Sequence, residues 1–262
     1  MKYRLITVIL TFIITLVVLF ACDSSPTDTG DANNDQPPNG NGDAPFSHTA
    51  GPGQSFGEFL LDDRFTELLV EVQFMPGFEP EPESLEELES FLHEHTGKTI
   101  TLLEPEEIPS GEQESYTATD IRDLEEEHRN HYSEGSALAS YSLFVDGQFE
   151  QENVLGIAYS NTSTAYFGET IHNNSGSGIT QPSRVKIEAT VLRHEYGHLF
   201  GLVGSDLDME EDHQENGPHC SEDECVMYHT VNTTDFLSNL LGEPIPDLDD
   251  FCLADIAAFQ QN

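Results

Sequence analysis

The chain has 262 residues, of which 49 are acidic and only 9 are basic, and its formal net charge is −40 at pH 7. A surface this acidic excludes nucleic acid as a partner and repels anionic lipid head groups. The charge is typical of a salt-adapted protein, in which it keeps the surface hydrated, and a cation-binding surface is the alternative.

The first residues predict a secretory leader that ends in a lipidated cysteine. A short basic start is followed by an almost wholly apolar run over residues 5–21, which is the order found in signal peptides. The tetrapeptide Leu19-Phe20-Ala21-Cys22 resembles the lipobox of bacterial lipoproteins, in which the cysteine thiol carries the lipid. We therefore expect a signal peptide over residues 1–21, lipidation at Cys22, and a place in the cell envelope, anchored in a bacterial membrane and facing the periplasm or the exterior. An uncleaved membrane anchor and an ordinary secretory signal are the alternatives.

Residues 22–55 are expected to form the lipidated cysteine and a disordered acidic linker. The stretch from residue 23 to residue 45 contains no large aliphatic or aromatic side chain, so it cannot bury enough surface to fold. Residues 56–262 remain, and their number is ample for one domain with a single core.

The segments before residue 180 alternate between strand and helix patterns. Runs of β-branched, aromatic and other apolar residues predict strands at residues 65–74, 98–103, 141–145, 154–159 and 164–172. Helical spacing of apolar residues predicts a helix over residues 83–96 that Gly97 ends, and a charged helix is expected over residues 120–132. Ser84 and Glu87 have the spacing of a capping box. This alternation of strands and helices is typical of an α/β (α+β) fold.

The most informative motif is His194-Glu195-x-x-His198-x-x-Gly201. Two histidines four apart on a helix lie on one face, so both imidazoles can reach one zinc ion at ~2.0–2.1 Å. Glu195 stands beside them, where it can take a proton from a zinc-bound water. Gly201 follows where a chain that turns sharply can use positive φ. The motif predicts a catalytic zinc site, and a chance match on an ordinary helix is the alternative.

A second set of motif residues follows the helix. The string His219-Cys220-x-x-x-x-Cys225-x-Met227 comes next, and a late cysteine stands at Cys252. Together with the helix motif, this pattern resembles the archaemetzincins, a branch of the metzincin metallopeptidases, and still more the archaemetzincin-like lipoprotein metalloproteases of bacteria. The resemblance implies that His219 is the third zinc ligand and that Met227 is the methionine of a tight turn below the metal. It also implies a metzincin-like fold, with a twisted mixed sheet, an active-site helix and a smaller C-terminal subdomain.

The chain departs from the metzincin pattern at the third ligand. The usual spacing would place that ligand at Gly204, which has no side chain to offer, and an acidic stretch over residues 205–218 comes before His219. His213 lies within this stretch and is the alternative third ligand.

A further departure concerns the cysteines. The resemblance implies a structural zinc held by four cysteines, of which Cys220, Cys225 and Cys252 match three, while Asp255 stands in the fourth place. A carboxylate oxygen can bind zinc at ~2.0–2.2 Å. A second structural zinc and a disulfide between two of the three cysteines both remain open.

The resemblance implies a zinc metallopeptidase, a hydrolase that cleaves a peptide or protein substrate outside the cytoplasm with Glu195 as general base. Extended substrate would pair with an edge strand above the cleft, a role that we assign to residues 165–169. The alternative is a non-catalytic lipoprotein that binds zinc or peptides, for which Glu195 would be dispensable. The motifs carry no information on the oligomeric state.

Overall fold

The structure is a computed structural model that describes residues 46–261. The expected signal peptide, Cys22 and the linker up to residue 45 lie outside the described residues. Among the described helices, none has the length and apolar character that a bilayer crossing requires.

Parallel strands form most of the main sheet. The strands are β1 (Glu67–Phe74), β2 (Thr99–Leu102), β3 (Glu106–Glu107), β4 (Ser115–Tyr116), β5 (Ala137–Val145), β6 (Gln148–Phe149), β7 (Gly156–Ser160) and β8 (Ser163–Phe167). The main sheet runs in the order β2-β1-β5-β8-β7, with β3 also paired to β1, and β4 and β6 make a separate pair. The strand β7 is antiparallel to β8, whereas the pairs β1–β2, β1–β5 and β5–β8 are parallel. The mixed sheet with its helices confirms the predicted α/β fold class.

Some helices pack on the sheet, and the last ones come after its final strand in the chain. They are α1 (Phe56–Leu60), α2 (Pro82–Thr96), α3 (Ala118–His128), α4 (Gly168–Asn174), α5 (Arg184–Leu199) and α6 (Asp250–Gln260), with a 3₁₀ helix at Thr234–Leu240. The zinc-motif helix α5 contacts α2 and the strands β7 and β8. Every residue of α5 from 187 to 199 is buried, as expected of a helix enclosed on all sides.

Two local predictions were wrong. The expected capping box is absent, because α2 begins after Glu81 with Pro82 in its first turn. The Ser84 hydroxyl instead donates to the Glu81 carbonyl at 2.7 Å and to the Glu188 carboxylate at 2.9 Å. The strand expected over residues 164–172 ends at Phe167, where α4 begins. Gly97, in contrast, ends α2 with φ 66°, as predicted.

The edge strand is not the one that the sequence suggested. Residues 165–167 belong to β8, which lies between β5 and β7. Because β8 pairs in parallel with β5, and β7 pairs with β8 on its other side, β7 takes the edge of the described sheet. The assignment of residues 165–169 to the edge is therefore wrong, and β7 occupies it.

The described part of the N-terminal segment packs on the domain. The Asn161 side-chain amide donates to the Ser47 carbonyl at 2.9 Å and to the Ser55 hydroxyl at 2.7 Å. The ring of Phe46 lies 5.6 Å from that of Phe65. Residues 46–55, which the sequence assigned to the linker, thus lie against the domain.

Candidate metal centre

The helix α5 presents two histidines to one point. Ser183 caps its N-terminus by accepting a hydrogen bond from the Lys186 amide. One turn separates His194 and His198, whose Nε2 atoms lie 3.2 Å apart. Two nitrogen ligands on a tetrahedral zinc at ~2.0–2.1 Å lie about 3.3–3.4 Å apart. The two imidazoles therefore already have the separation that one zinc ion requires.

His219 completes a group of three imidazoles. Its ring centroid lies 5.3 Å from that of His194 and 5.1 Å from that of His198. One nitrogen of each of the three rings lies within 4.8 Å of the others. His219 Nε2 is buried and has no hydrogen-bond partner. A buried polar atom without a partner is explained if it binds a metal. The residues present fit a zinc ion held by three histidines.

Backbone carbonyls fix which nitrogen of His194 and of His219 faces the metal position. His194 Nδ1 lies 2.7 Å from the Val226 carbonyl, and His219 Nδ1 lies 3.0 Å from the Asn216 carbonyl. A carbonyl only accepts, so both Nδ1 atoms carry the proton and both Nε2 atoms keep a lone pair. Burial, followed by the neighbouring imidazoles, lowers the pKa of His194 well below its usual range and that of His198 to about 3. The rings are therefore neutral at pH 7, as metal binding requires.

Glu195 is a buried carboxyl group without a hydrogen-bond partner. Neither of its oxygens makes a hydrogen bond, although the Ala158 amide lies close enough to lower its pKa slightly. Burial has the larger effect and raises the pKa of Glu195 to about 8. The backbone of β7 lies directly against this side chain, because a Cβ at Gly156 would come within 3.2 Å of its Cγ and Oε1 and within 2.6 Å of Val191 Cγ1.

Met227 packs against α5 at Gly197, which lies between His194 and His198 in the sequence. Its side chain is fully buried, and a Cβ at Gly197 would overlap its sulfur. The methionine can lie there only because residue 197 has no side chain. Val226, the residue before Met227, accepts the hydrogen bond from His194 Nδ1 with its backbone carbonyl.

The three cysteines meet in a second cluster. Cys220, Cys225 and Cys252 are free and fully buried. The sulfurs of Cys225 and Cys252 are 3.8 Å apart, well beyond the ~2.05 Å of a disulfide bond. Hydrogen bonding to Cys225 and then to Cys252 lowers the pKa of Cys220. Cys220 and Cys252 belong, with His213 and Asp249, to a group of side chains that could hold a metal ion.

His213 lies in the cysteine cluster and not with the helix motif. Its Nδ1 is 3.3 Å from Cys220 Sγ, and the group of three imidazoles that could hold an ion contains His219 instead. The structure therefore does not bring the alternative third ligand to the position that the sequence allowed for it.

The place of Asp255 also differs from the sequence-based expectation. Its Oδ2 is 2.8 Å from His213 Nε2, and its Oδ1 accepts a hydrogen bond from the Glu210 amide at 2.8 Å. Asp255 thus lies behind His213 and not among the sulfurs. Cys252 and Asp255 are three positions apart in α6 and share a face of the helix, but the His213 imidazole takes the space between the Asp255 carboxylate and the Cys220 sulfur.

Sequence reasoning missed three residues of these sites. Gly156 and Gly197 make room for Glu195 and Met227, and a glycine inside a helix interior was the available signal for the second. His229 has a buried Nδ1 without a partner, and it lies near enough to His219 to lower the pKa of that residue. Its position two residues after Met227 was the signal that could have drawn attention to it.

No protein-family model and no curated protein matches the sequence. Among solved structures, archaemetzincin from Methanopyrus kandleri is 16% identical, with 74% of this chain and 94% of that chain covered and a TM-score of 0.47. Archaemetzincin from Archaeoglobus fulgidus, complexed with malonate, is 16% identical over 72% of this chain and 99% of that chain, with a TM-score of 0.40. A zinc-dependent peptidase from Methanocorpusculum labreanum is 16% identical over 72% and 99% of the two chains, with a TM-score of 0.42.

Proposed function

We propose that the protein is a zinc-dependent peptidase that hydrolyses peptide bonds outside the cytoplasm, anchored to the cell envelope through a lipid on Cys22. The observation that carries the peptidase proposal is the buried, unpartnered Glu195 beside three converging imidazoles. A site that only stored zinc would have no use for a buried carboxyl group, whose desolvation costs stability. A role in proton transfer explains why Glu195 is buried beside the three imidazoles.

The residues of the chain divide the work. His194, His198 and His219 would hold the zinc ion, which would supply a Lewis acid for the scissile carbonyl and for water. Glu195 accepts a proton from the attacking water at its carboxylate and then donates that proton to the leaving amine. Burial raises the pKa of this carboxyl to about 8, and a zinc cation beside it would lower that pKa and favour the carboxylate that accepts the proton. Met227 shapes the base of the site and moves no proton.

The edge strand β7 supports an extended peptide as substrate. Its backbone lies against Glu195 at Gly156 and Ala158. An extended peptide that adds itself to an exposed sheet edge makes main-chain hydrogen bonds along that edge. A substrate bound in this way would bring a backbone carbonyl close to Glu195 and the three histidines.

We also propose that the cysteine cluster holds a second, structural zinc. Thiolates bound to a tetrahedral zinc at ~2.3 Å are about 3.8 Å apart, and the Cys225–Cys252 separation is 3.8 Å. Full burial of all three sulfurs is typical of a closed structural site.

The test is Glu195→Gln in the full chain, with exposed Glu89→Gln on α2 as the matched control. Zinc-loaded protein is incubated with a peptide library, and the products are identified by mass spectrometry. We expect the wild type and the control to cleave peptides, whereas Glu195→Gln keeps its zinc and loses at least about 100-fold in rate. Equal cleavage by Glu195→Gln would refute the mechanism. Absence of any cleavage by the zinc-loaded wild type would favour the non-catalytic zinc- or peptide-binding lipoprotein.

A further inference from the structure

The acidic stretch before His219 folds back on the segment that follows it. The Ser221 amide donates to the His213 carbonyl at 2.8 Å, and the Glu215 amide donates to the His219 carbonyl at 2.8 Å. Gln214 and Cys220 form an antiparallel bridge between these two bonds. The pairing places His213 directly beside Cys220, although seven residues separate them in the chain.

The imidazole of His213 is buried and lies next to the sulfur of Cys220. It is 3% exposed, and the ring of Phe251 stacks against it at 5.5 Å. Its Nδ1 lies 3.3 Å from Cys220 Sγ. An imidazole nitrogen and a thiolate on one tetrahedral zinc are about 3.5 Å apart. The observed separation is close to that value.

The other nitrogen of the ring is held by a carboxylate. His213 Nε2 lies 2.8 Å from Asp255 Oδ2, and Asp255 is 1% exposed. A ligand histidine commonly donates its remaining N–H to a carboxylate, which fixes the ring and makes the ligating nitrogen more basic. Asp255 does not belong to the group of potential ligands around Cys220, and its second oxygen accepts the Glu210 amide.

Asp249 is the competing fourth ligand. Its Oδ2 lies 3.3 Å from Cys220 Sγ, and it belongs to the same group of potential ligands. However, its Oδ1 caps α6 by accepting the Cys252 amide at 2.9 Å, and the residue is only half-buried. A cap explains the position of Asp249 without a metal, whereas His213 is buried with its Nδ1 at 3.3 Å from Cys220 Sγ and its Nε2 held by Asp255.

We propose that His213 is the fourth ligand of the metal in the cysteine cluster, through Nδ1, and that Asp255 orients it through Nε2. The second site is then Cys220, Cys225, Cys252 and His213, with Asp255 in contact with the histidine and not with the metal. This inference deepens the structural zinc of the proposed function and is independent of whether the protein cleaves peptides.

The position of this site makes it a support for the histidine centre. His219 directly precedes Cys220, and the Val226 carbonyl that holds His194 directly follows Cys225. A metal that fixes the two cysteines thereby fixes the backbone on either side of the catalytic ligands. We expect loss of the second metal to weaken zinc binding by the three histidines.

The experiment measures metal content and the absorption of the cobalt-substituted full chain. The variants are His213→Ala, His213→Cys and Asp255→Asn, with exposed His93→Ala as the control. Wild type and His93→Ala should bind two metals, and thiolate-to-cobalt charge-transfer absorption should be present. His213→Ala should lose one metal and most of that absorption. His213→Cys should keep both metals and absorb more strongly, and Asp255→Asn should bind the second metal about 10–100-fold more weakly.

Several outcomes would overturn the assignment. One is a His213→Ala protein with two metals and an unchanged charge-transfer spectrum. Another is loss of cobalt from the histidine centre alone, which would make His213 a catalytic ligand. Alkylation of the denatured protein that finds Cys225 linked to Cys252 would exclude the site, and so would a His213→Cys protein that neither folds nor binds a second metal. A peptidase assay that fails leaves all of these readouts intact, so the two proposals fail separately.

Discussion

The two ligand clusters are built on different kinds of scaffold. His194 and His198 belong to one regular helix that is buried along residues 187–199. The cysteine cluster takes its residues from a loop and from the first turns of α6, with His213 and Cys252 separated by 39 residues of chain. The helix fixes its histidines by local geometry, whereas the loop needs contacts between distant residues to assemble its ligands. Protein packing therefore places the two helical histidines of the first cluster, whereas we expect a metal to be required to fix the second cluster and the loop that carries His219.

Protein contacts hold α5 in place on several sides. Arg193 pairs with Glu87 on α2 at 2.6 Å, and Lys186 donates to the Leu240 carbonyl at 2.9 Å. The Glu188 carboxylate accepts the Glu81 amide at 2.7 Å. None of these contacts involves a metal ligand. The position of the helix should thus persist when metal is removed.

Metal removal tests this difference most strongly. We expect chelation to raise amide exchange more than about 100-fold in residues 205–231 while α5 keeps its protection, because structural zinc contributes directly to folding free energy. Hydrogen exchange with mass spectrometry on the zinc-loaded and chelated full chain is the measurement. Equal loss of protection in both regions would show that the helix also depends on metal, and no change in either would show that the loop does not.

The same contrast explains what the sequence could predict. The fold class follows from the alternation of strand and helix patterns before residue 180. The positions of His194, Glu195 and His198 follow from helical periodicity alone, since residues four apart always lie on one face. The end of α2 at Gly97 is equally local, because a left-handed φ favours glycine.

The rest depends on contacts that no local pattern encodes. The choice of β7 over β8 as edge strand follows from which strand of a hairpin pairs with β5. His213 lies beside Cys220, with Asp255 behind it, because the loop folds back on Cys220 and brings the imidazole between the carboxylate and that sulfur. The failure of the capping box has a similar cause, since Ser84 is used by the distant Glu188.

The contact between Met227 and Gly197 joins the loop after α5 to the helix α5. One added methyl group, at residue 197, would disrupt it. Gly197→Ala should destabilise the protein by about 1–3 kcal/mol, because the new Cβ overlaps the Met227 sulfur and the core must shift. Gly57→Ala in α1 is the control: its Cβ would be 3.7 Å from the nearest atom, that of Phe259, and alanine is the better helix former by up to ~1 kcal/mol. Urea unfolding provides both values.

A double variant shows whether the overlap is the cause. Gly197→Ala combined with Met227→Ala should cost less than the sum of the two single changes, because the second change removes the group that the methyl meets. Strict additivity would mean that the helix and the turn do not depend on each other at this point.

The smallest expected effect is a pH dependence that belongs to the helix region alone. Burial raises the pKa of Glu188 from its ordinary 4.5 to about 7, although the Glu81 amide and the Ser84 hydroxyl partly offset it. The folded chain therefore holds this proton more tightly than the unfolded chain. The contribution to stability is fully present below pH ~4.5 and is lost as the pH rises through about 7, at no more than about 1.4 kcal/mol per pH unit. Relative to Glu188→Gln, the wild type should lose about 1–2 kcal/mol between pH 5 and pH 7.

Urea unfolding at both pH values checks this expectation, with exposed Glu83→Gln on α2 as the control for a general charge effect. The pH dependence should survive chelation, because Glu188 contacts α2 and Arg184 and no metal ligand. A difference between wild type and Glu188→Gln that disappears when metal is removed would mean that the two clusters stabilise one structure together. If the difference between wild type and Glu188→Gln stays after chelation, protein contacts hold this part of α5, the helix that carries His194 and His198, before any metal binds.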